Sequence, residues 1–358
     1  MKDRYRVGIV GMGFGHKVHA PAFHAHDRFE LVAVAGARPG TAARVAGQAG
    51  ARAYETWQAL VDEADVDVVS IATAPHMHAP VALRALERGR HILLEKPTAF
   101  DAREAGQILE AARLAGRLGA ICHEFRFAPG RLAVKDELRA GAVGRILAVH
   151  ATIHSPGLAG MSRAEVGWLA RAETAGGMLG ATASHYIDGV SWLVGEEIVR
   201  VWADLRAVAA HRPAAGGGSE RVSAEDSYVV FLQFASGAIA TITFSLAGGG
   251  FGETWDVLGD AGAVRLDGQG QVHVAQAGAQ PRAVEVGTLP PPPALPGADP
   301  DVRTPPFMKL LDRFAAALDG DAQASADLPD LAQGLRVQRV LDGARLASAT
   351  GGAVRILP

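Results

Sequence analysis

The chain has one cysteine, Cys122, in 358 residues, so no intrachain disulfide can form, and that usage suits a reducing compartment. It also lacks a block of basic charge. Its 35 Lys and Arg face 38 Asp and Glu spread along the chain, for a net charge of −3, so nucleic acid is not expected as a partner. No apolar run approaches the roughly 18 residues of a membrane helix, and the opening "MKDRYRVGIV" lacks the charged-then-apolar layout of a signal peptide. A cytoplasmic protein with no membrane partner is therefore expected. What is present is ordinary globular composition: 49% hydrophobic, 20% charged, and enough length for two domains with a large core.

The first third alternates short apolar runs with helical patterns. Runs at 5–10, 31–35, 66–71, 91–94 and 118–121 read as strands, and stretches at 41–49, 80–88 and 102–115 read as helices, with Gly89 placed to end the second. This alternation predicts βαβ units and a parallel sheet. From about residue 123 the texture changes to a helix after Pro129 and then strands suited to antiparallel pairing, with "FASGAIA" as a hairpin signal. Residues 212–220 (RPAAGGGSE) read as a flexible loop, and the proline-rich 287–301 as a long functional or mobile loop. Helical patterns at 307–318 and 331–347 follow. The predicted fold is α/β plus α+β: a Rossmann-type parallel sheet over residues 1–122, then a domain over 123–358 built on an open, mainly antiparallel sheet.

The chemistry begins in "GIVGMGFGHKVHAPAF". Gly11 and Gly13 occupy the first two positions of a G-x-G-x-x-G fingerprint, where glycine permits the tight turn and the close approach of a pyrophosphate. The third position holds His16, with Gly15 one residue early and Pro21 just inside the following helix. An ordinary βα turn is the competing reading. A further absence lies at the end of the second strand. An NAD site usually has Asp or Glu there, but this chain has Gly36 and Ala37, then Arg38. Arg38 could meet a 2′-phosphate by paired charge-assisted bonds, which favours NADP, or it could be a solvated surface residue.

Three later stretches add a pattern. "ATAPHMHAPVALRALERGRHILLEKPTAF" carries Thr73, Pro75, His78, Gly89 and Glu95-Lys96-Pro97. "HEFRFAPG" carries Arg126, Phe127 and Pro129, and "GGMLGATASHYIDGVSWLVG" carries Gly176, Gly177, Ser184, His185, Asp188 and Gly195. In this order the sequence resembles the Gfo/Idh/MocA family of oxidoreductases over nearly its whole length. The resemblance implies a Rossmann domain and a substrate-binding and oligomerisation domain. It implies bound NADP or NAD, a homodimer or homotetramer, and hydride transfer at a hydroxyl or keto carbon of a sugar, inositol or related polyol. It makes Lys96 the residue that hydrogen-bonds the reacting hydroxyl, His185 the acid/base, and Pro97 the residue shaping the turn at the nicotinamide. The cofactor set is then Gly11, Gly13, Phe14, Gly15, Arg38, Thr73, His78, Glu95, Lys96 and Pro97. The substrate set is Lys96, Arg126 and His185, with Lys96 and His185 catalytic.

One departure matters. Many catalytic members carry an aspartate four residues before the histidine, and this chain has Ala181. Asp188, one helical turn past His185, or Glu124, near the domain junction, could orient a base instead. His76-x-His78 and His185-x-x-Asp188 lack a third partner at a metal spacing, so no metal is expected. Trp168 is expected to pack. Two other readings stay open: a non-catalytic nucleotide or sugar sensor, and a glycosidase using tightly held NAD.

Overall fold

The structure is a computed structural model, and it describes residues 2–36, 40–246, 250 and 252–357. The chain forms two compact units. One is Met1–Phe127 with Leu289–Gln338, and the other is Ala128–Thr288 with Arg339–Pro358.

The first unit is a six-stranded parallel sheet in the order β3-β2-β1-β4-β5-β6. The strands are β1 Tyr5–Val10, β2 Phe29–Ala35, β3 Arg52–Tyr54, β4 Val68–Ile71, β5 His91–Leu94 and β6 Gly119–Ile121. Helices α1 Ala20–Ala25, α2 Thr41–Ala49, α3 Trp57–Glu63, α4 His78–Glu87 and α5 Ala102–Ala115 connect them. The expected strands all form, while β3 and α3 were not anticipated; both are short and carry little periodicity. β4 is buried at every residue, as a central parallel strand covered on both faces must be. Gly89 has φ +68° and its N–H bonds to Leu86 O at 2.9 Å, the expected left-handed stop after α4. Strand order reverses between β1 and β4, so the crevice outside their carboxyl ends is where such a sheet holds a ligand.

The chain returns to this unit late. Residues 287–301 have no helix or strand, and Leu295 within them is buried in the same core as Phe23 and Phe29. Helix α9, Thr304–Leu318, puts Phe307, Leu310, Leu311 and Phe314 into that core, against Val7, Ile9 and Val34.

The second unit has a nine-stranded sheet, β16-β15-β14-β13-β7-β12-β11-β8-β17. Its strands are β7 Ile146–Ser155, β8 Ile198–Arg206, β11 Ser227–Phe234, β12 Ile239–Leu246, β13 Gly252–Gly259, β14 Gly262–Leu266, β15 Val272–Gln276, β16 Arg282–Val284 and β17 Val354–Arg355. All pairs are antiparallel except β7 with β12. The hairpin at "FASGAIA" forms, with Gly237 at φ +91° and Phe234 N–H bonding Ala238 O at 2.8 Å. Strict alternation in β12 buries one face only. The segment expected as a flexible loop is instead a small hairpin, β9 His211–Pro213 with β10 Ser219–Arg221. Gly217 and Gly218, at φ +89° and +78°, supply its turn. Helices α6 Pro129–Arg139, α7 Leu158–Arg163 and α8 Ser184–Val194 belong to this unit; α10 Ala322–Asp327 belongs to the first; and α11 Leu331–Thr350 runs from one unit into the other.

Candidate nucleotide and active site

The glycine loop shows what each glycine is for. Gly11 has φ +103°, and an added Cβ would run into Ala72 O, because the loop crosses directly over the end of β4. A Cβ at Gly13 would meet no atom of the described residues within 4 Å, so none of them requires glycine there, whereas close approach of a pyrophosphate would. At Gly15 a Cβ would stand 3.1 Å from Ile9 Cγ2 and 3.3 Å from Ala72 Cβ. Gly15 therefore takes the helix-to-strand packing role one residue early. The helix start accommodates this with a single wide π-helical turn, Gly15–His19, before α1. His16 is left outside that contact, with Nε2 3.3 Å from Arg44 Nη1. Burial and the Arg44 charge lower its pKa. Pro21 falls in the first turn of α1, directly after that wide turn. The Thr73 hydroxyl is buried without a hydrogen-bond partner. Gly13 and Thr73 thus fit a dinucleotide at the carboxyl end of the sheet. Ala37 and Arg38 lie outside the described residues.

The Glu95-Lys96-Pro97 segment follows β5 and rests on a buried network. His19, fully buried, has Nδ1 2.7 Å from Ser70 Oγ and Nε2 2.9 Å from Glu95 Oε1, with the Phe307 ring tilted at 32° to its own and centroids 4.4 Å apart. Lys96 N–H donates to Glu95 Oε2 at 3.3 Å, and Lys96 Nζ stands 3.9 Å from the same oxygen. Burial alone would raise the Glu95 pKa, but the His19 hydrogen bond and the Lys96 and His19 charges outweigh it and the net shift is downward. Glu95 is thus a fixed carboxylate that holds the Lys96 ammonium. That ammonium lies 5.9 Å from the centre of the Phe14 ring, and the Arg303 guanidinium lies 4.6 Å from it. Arg303 is itself paired with Asp301 through Nε at 2.8 Å and Nη2 at 2.5 Å. His78 is buried, with ring nitrogens 2.9 Å from Pro97 O and 3.1 Å from Thr73 O, so it ties the Lys96 loop to the loop after β4. Burial lowers its pKa, and a neutral ring donates to only one of the two carbonyls at a time.

Beyond β6 the chain makes a tight turn, Glu124–Phe127, in which Glu124 and Arg126 are buried. Both Glu124 carboxylate oxygens are without a hydrogen-bond partner. Burial first, then the Glu95 charge, push its pKa up to about 8, and Lys96 only partly opposes them.

In the second unit, His185 is the second residue of α8 and is 3% exposed. A wide π-helical turn, Leu179–Ala183, leads into that helix, as at the glycine loop. Ala181 lies in this turn with its N–H on Gly177 O at 3.1 Å. Gly177 has φ +104° and sits against Glu225, which accepts from Leu179 N–H at 2.9 Å. Asp188 is fully buried. Trp168, expected to pack, is 44% exposed.

His76 is exposed and His78 is committed to carbonyls, so H-x-H is not a ligand pair. Among the described residues, His19, Glu95 and Cys122 bring ligand-type atoms within 4.8 Å of one another. A cation there would have to break the His19–Glu95 bond, and the Cys122 thiol is held protonated by burial. Sequence reasoning missed His19, Ser70 and the Asp301–Arg303 pair. His19 was legible only as a histidine in the helix after the glycines. Arg303 follows a loop that carries no nucleotide signature.

Comparison with known proteins agrees with this geometry. Residues 5–123 match the model of an oxidoreductase family with an NAD-binding Rossmann fold, and residues 132–265 match a GFO/IDH/MocA C-terminal domain. The inositol 2-dehydrogenase of Rhizobium meliloti is 32% identical over 75% of this chain and 77% of its own. The levoglucosan dehydrogenase of Pseudarthrobacter phenanthrenivorans is 30% identical over 259 residues, 66% of each chain. A solved levoglucosan dehydrogenase in complex with NADH and levoglucosan superposes with TM-score 0.86 at 26% identity, covering 99% of each chain. The glycine loop, the Glu95–Lys96 network and these matches together place the chain in the Gfo/Idh/MocA family of NAD-binding oxidoreductases.

Proposed function

We propose that this protein is a dehydrogenase or reductase that moves a hydride between a nicotinamide cofactor and a hydroxyl or keto carbon of a sugar, inositol or related polyol. The observation that carries the reading is the Lys96 ammonium held by Glu95, itself fixed by His19, at the carboxyl edge of the parallel sheet. Gly11, Gly13, Phe14, Gly15, Thr73 and the Glu95-Lys96-Pro97 loop would hold the nucleotide, with His78 bracing that loop. The cofactor supplies the hydride acceptor. Lys96 stabilises negative charge developing on the substrate oxygen, and His185 takes or returns the hydroxyl proton, a role a histidine can fill near neutral pH. Arg126 is assigned to substrate. Ala181 supplies no carboxylate to His185, and it is the observation behind a second reading, a non-catalytic sensor of the same ligands.

A preference for NADP rests on the missing acid after β2 and on Arg38. The Arg44 guanidinium, 3.3 Å from the His16 ring, adds positive potential beside the glycine loop. Self-association is assigned to the outer face of the nine-stranded sheet, where Trp202, Val229 and Leu258 are each over a third exposed.

The test is a fluorescence titration of nucleotide-stripped protein with NADPH and NADH, followed by a nicotinamide-absorbance screen of sugars and inositols. Lys96→Ala is expected to keep nucleotide binding within a few-fold and to lower kcat by about a hundredfold or more. Normal turnover by that variant would remove Lys96 from the chemistry. Nucleotide binding with no turnover of any polyol would favour the sensor.

A further inference from the structure

Glu124 is a carboxyl group that the fold buries completely and leaves without a donor. It stands at the end of β6, beside the end of β5 that carries Glu95 and Lys96, and helix α9 packs against its turn. The charged groups that act on it are already paired with others. Lys96 faces Glu95 at 3.9 Å, and Arg303 makes a two-pronged pair with Asp301. The neighbouring Cys122 is buried and protonated, and Glu95 adds a negative charge to the same region. His123 and Arg126, on its own turn, are also buried. An ionised Glu124 would therefore have only its own backbone N–H to oppose its burial, with no side-chain donor among the described residues and no cation of its own. At neutral pH it holds a proton, while Glu95, less than 10% exposed and a few ångströms from Lys96, does not. Two carboxyl groups pushed apart in this way are the signature of one structural charge and one exchangeable proton.

We propose that Glu124 is the proton-exchanging residue of the nucleotide site, neutral beside a reduced nicotinamide and ionised beside an oxidised one. The inference rests on the reading that the nicotinamide lies at Lys96. An oxidised nicotinamide brings one positive charge and a reduced one brings none, so only the first compensates a Glu124 carboxylate. Binding of the oxidised cofactor then releases one proton from Glu124 Oε to solvent, and binding of the reduced cofactor releases none. If an alcohol is oxidised there, its hydroxyl proton would leave through His185 to solvent, and Glu124 would take up one proton from solvent as the positive charge of the ring is lost, so that the charge around Glu124 would be the same before and after.

The experiment measures the dissociation constants of NADP+ and NADPH, or of NAD+ and NADH if those bind tighter, between pH 6 and 9 in wild type and Glu124→Gln. In wild type, affinity for the oxidised form should rise by up to tenfold per pH unit below pH about 8, while affinity for the reduced form stays level. In Glu124→Gln the rise should vanish, with reduced-cofactor affinity within about threefold of wild type. An equal slope in the variant, or equal slopes for both redox forms in wild type, overturns the proposal while leaving the dinucleotide reading intact. Folded wild-type protein that binds neither form overturns both. A second measurement needs no variant: at pH 7, oxidised but not reduced cofactor should abolish the infrared carbonyl band of one protonated carboxyl. Loss of that band with both forms, or with neither, overturns the proposal.

Discussion

At the residue scale the site is a contrast between satisfied and unsatisfied polar groups. His19 uses both ring nitrogens, and through them Ser70 and Glu95 are fixed in the buried interior. Glu124 has no such support. Its folded-state pKa of about 8 stands above the ordinary glutamate value of 4.5, so the folded protein binds more protons than the unfolded chain between those values. Stability from this group is therefore fully present below pH about 4.5 and is lost as pH rises through about 8, at most about 1.4 kcal/mol per pH unit. Glu124→Gln removes that loss. Thermal unfolding scans at pH 5 and pH 8.5 should show the variant gaining on wild type at the higher pH. A constant difference between the two proteins would contradict the buried-acid assignment.

At the element scale, the glycine loop answers how a broken fingerprint still makes a Rossmann turn. The third glycine is needed because helix and strand approach closely, and Gly15 meets Ile9 and Ala72 at that approach. One wide turn shifts the contact by a residue and leaves His16 facing α2 rather than β1. Gly11 has no such latitude, since a Cβ would meet Ala72 backbone while φ stays at +103°. Gly11→Ala should cost about 1–3 kcal/mol in urea unfolding and weaken NADPH and NADH binding together. An unchanged midpoint would mean that the loop relaxes around the methyl group. Glycines and strands of this loop were legible from spacing. The wide turn was not, because a one-residue change in hydrogen-bond register leaves no mark in apolar periodicity.

At the scale of the whole molecule, chain order and spatial order part company. The first unit is not one stretch of sequence: α9 fills one face of its sheet from nearly two hundred residues beyond β6. In the second unit, a nine-stranded sheet buries only one face, leaving Trp202, Val229 and Leu258 exposed on the other. The self-association assigned to that face predicts that Val229→Glu shifts the protein to a smaller species in analytical ultracentrifugation, with its circular dichroism unchanged. An unaltered sedimentation coefficient would place any oligomer contact elsewhere.

The sequence by itself determined the parallel sheet, the glycine turn, the mainly antiparallel second sheet and the stretches bearing Lys96 and His185. Each of these is written in local signals: apolar runs, glycine spacing, and a tripeptide at a strand end. Only the tertiary structure decided that His19 would reach across 76 residues to Glu95, that Arg303, paired with Asp301, would face Phe14, and that Glu124 would be buried with neither carboxylate oxygen on a side-chain donor. Those outcomes depend on which distant side chains share a buried volume. Desolvation and charge are properties of that volume, and no spacing along the chain encodes them.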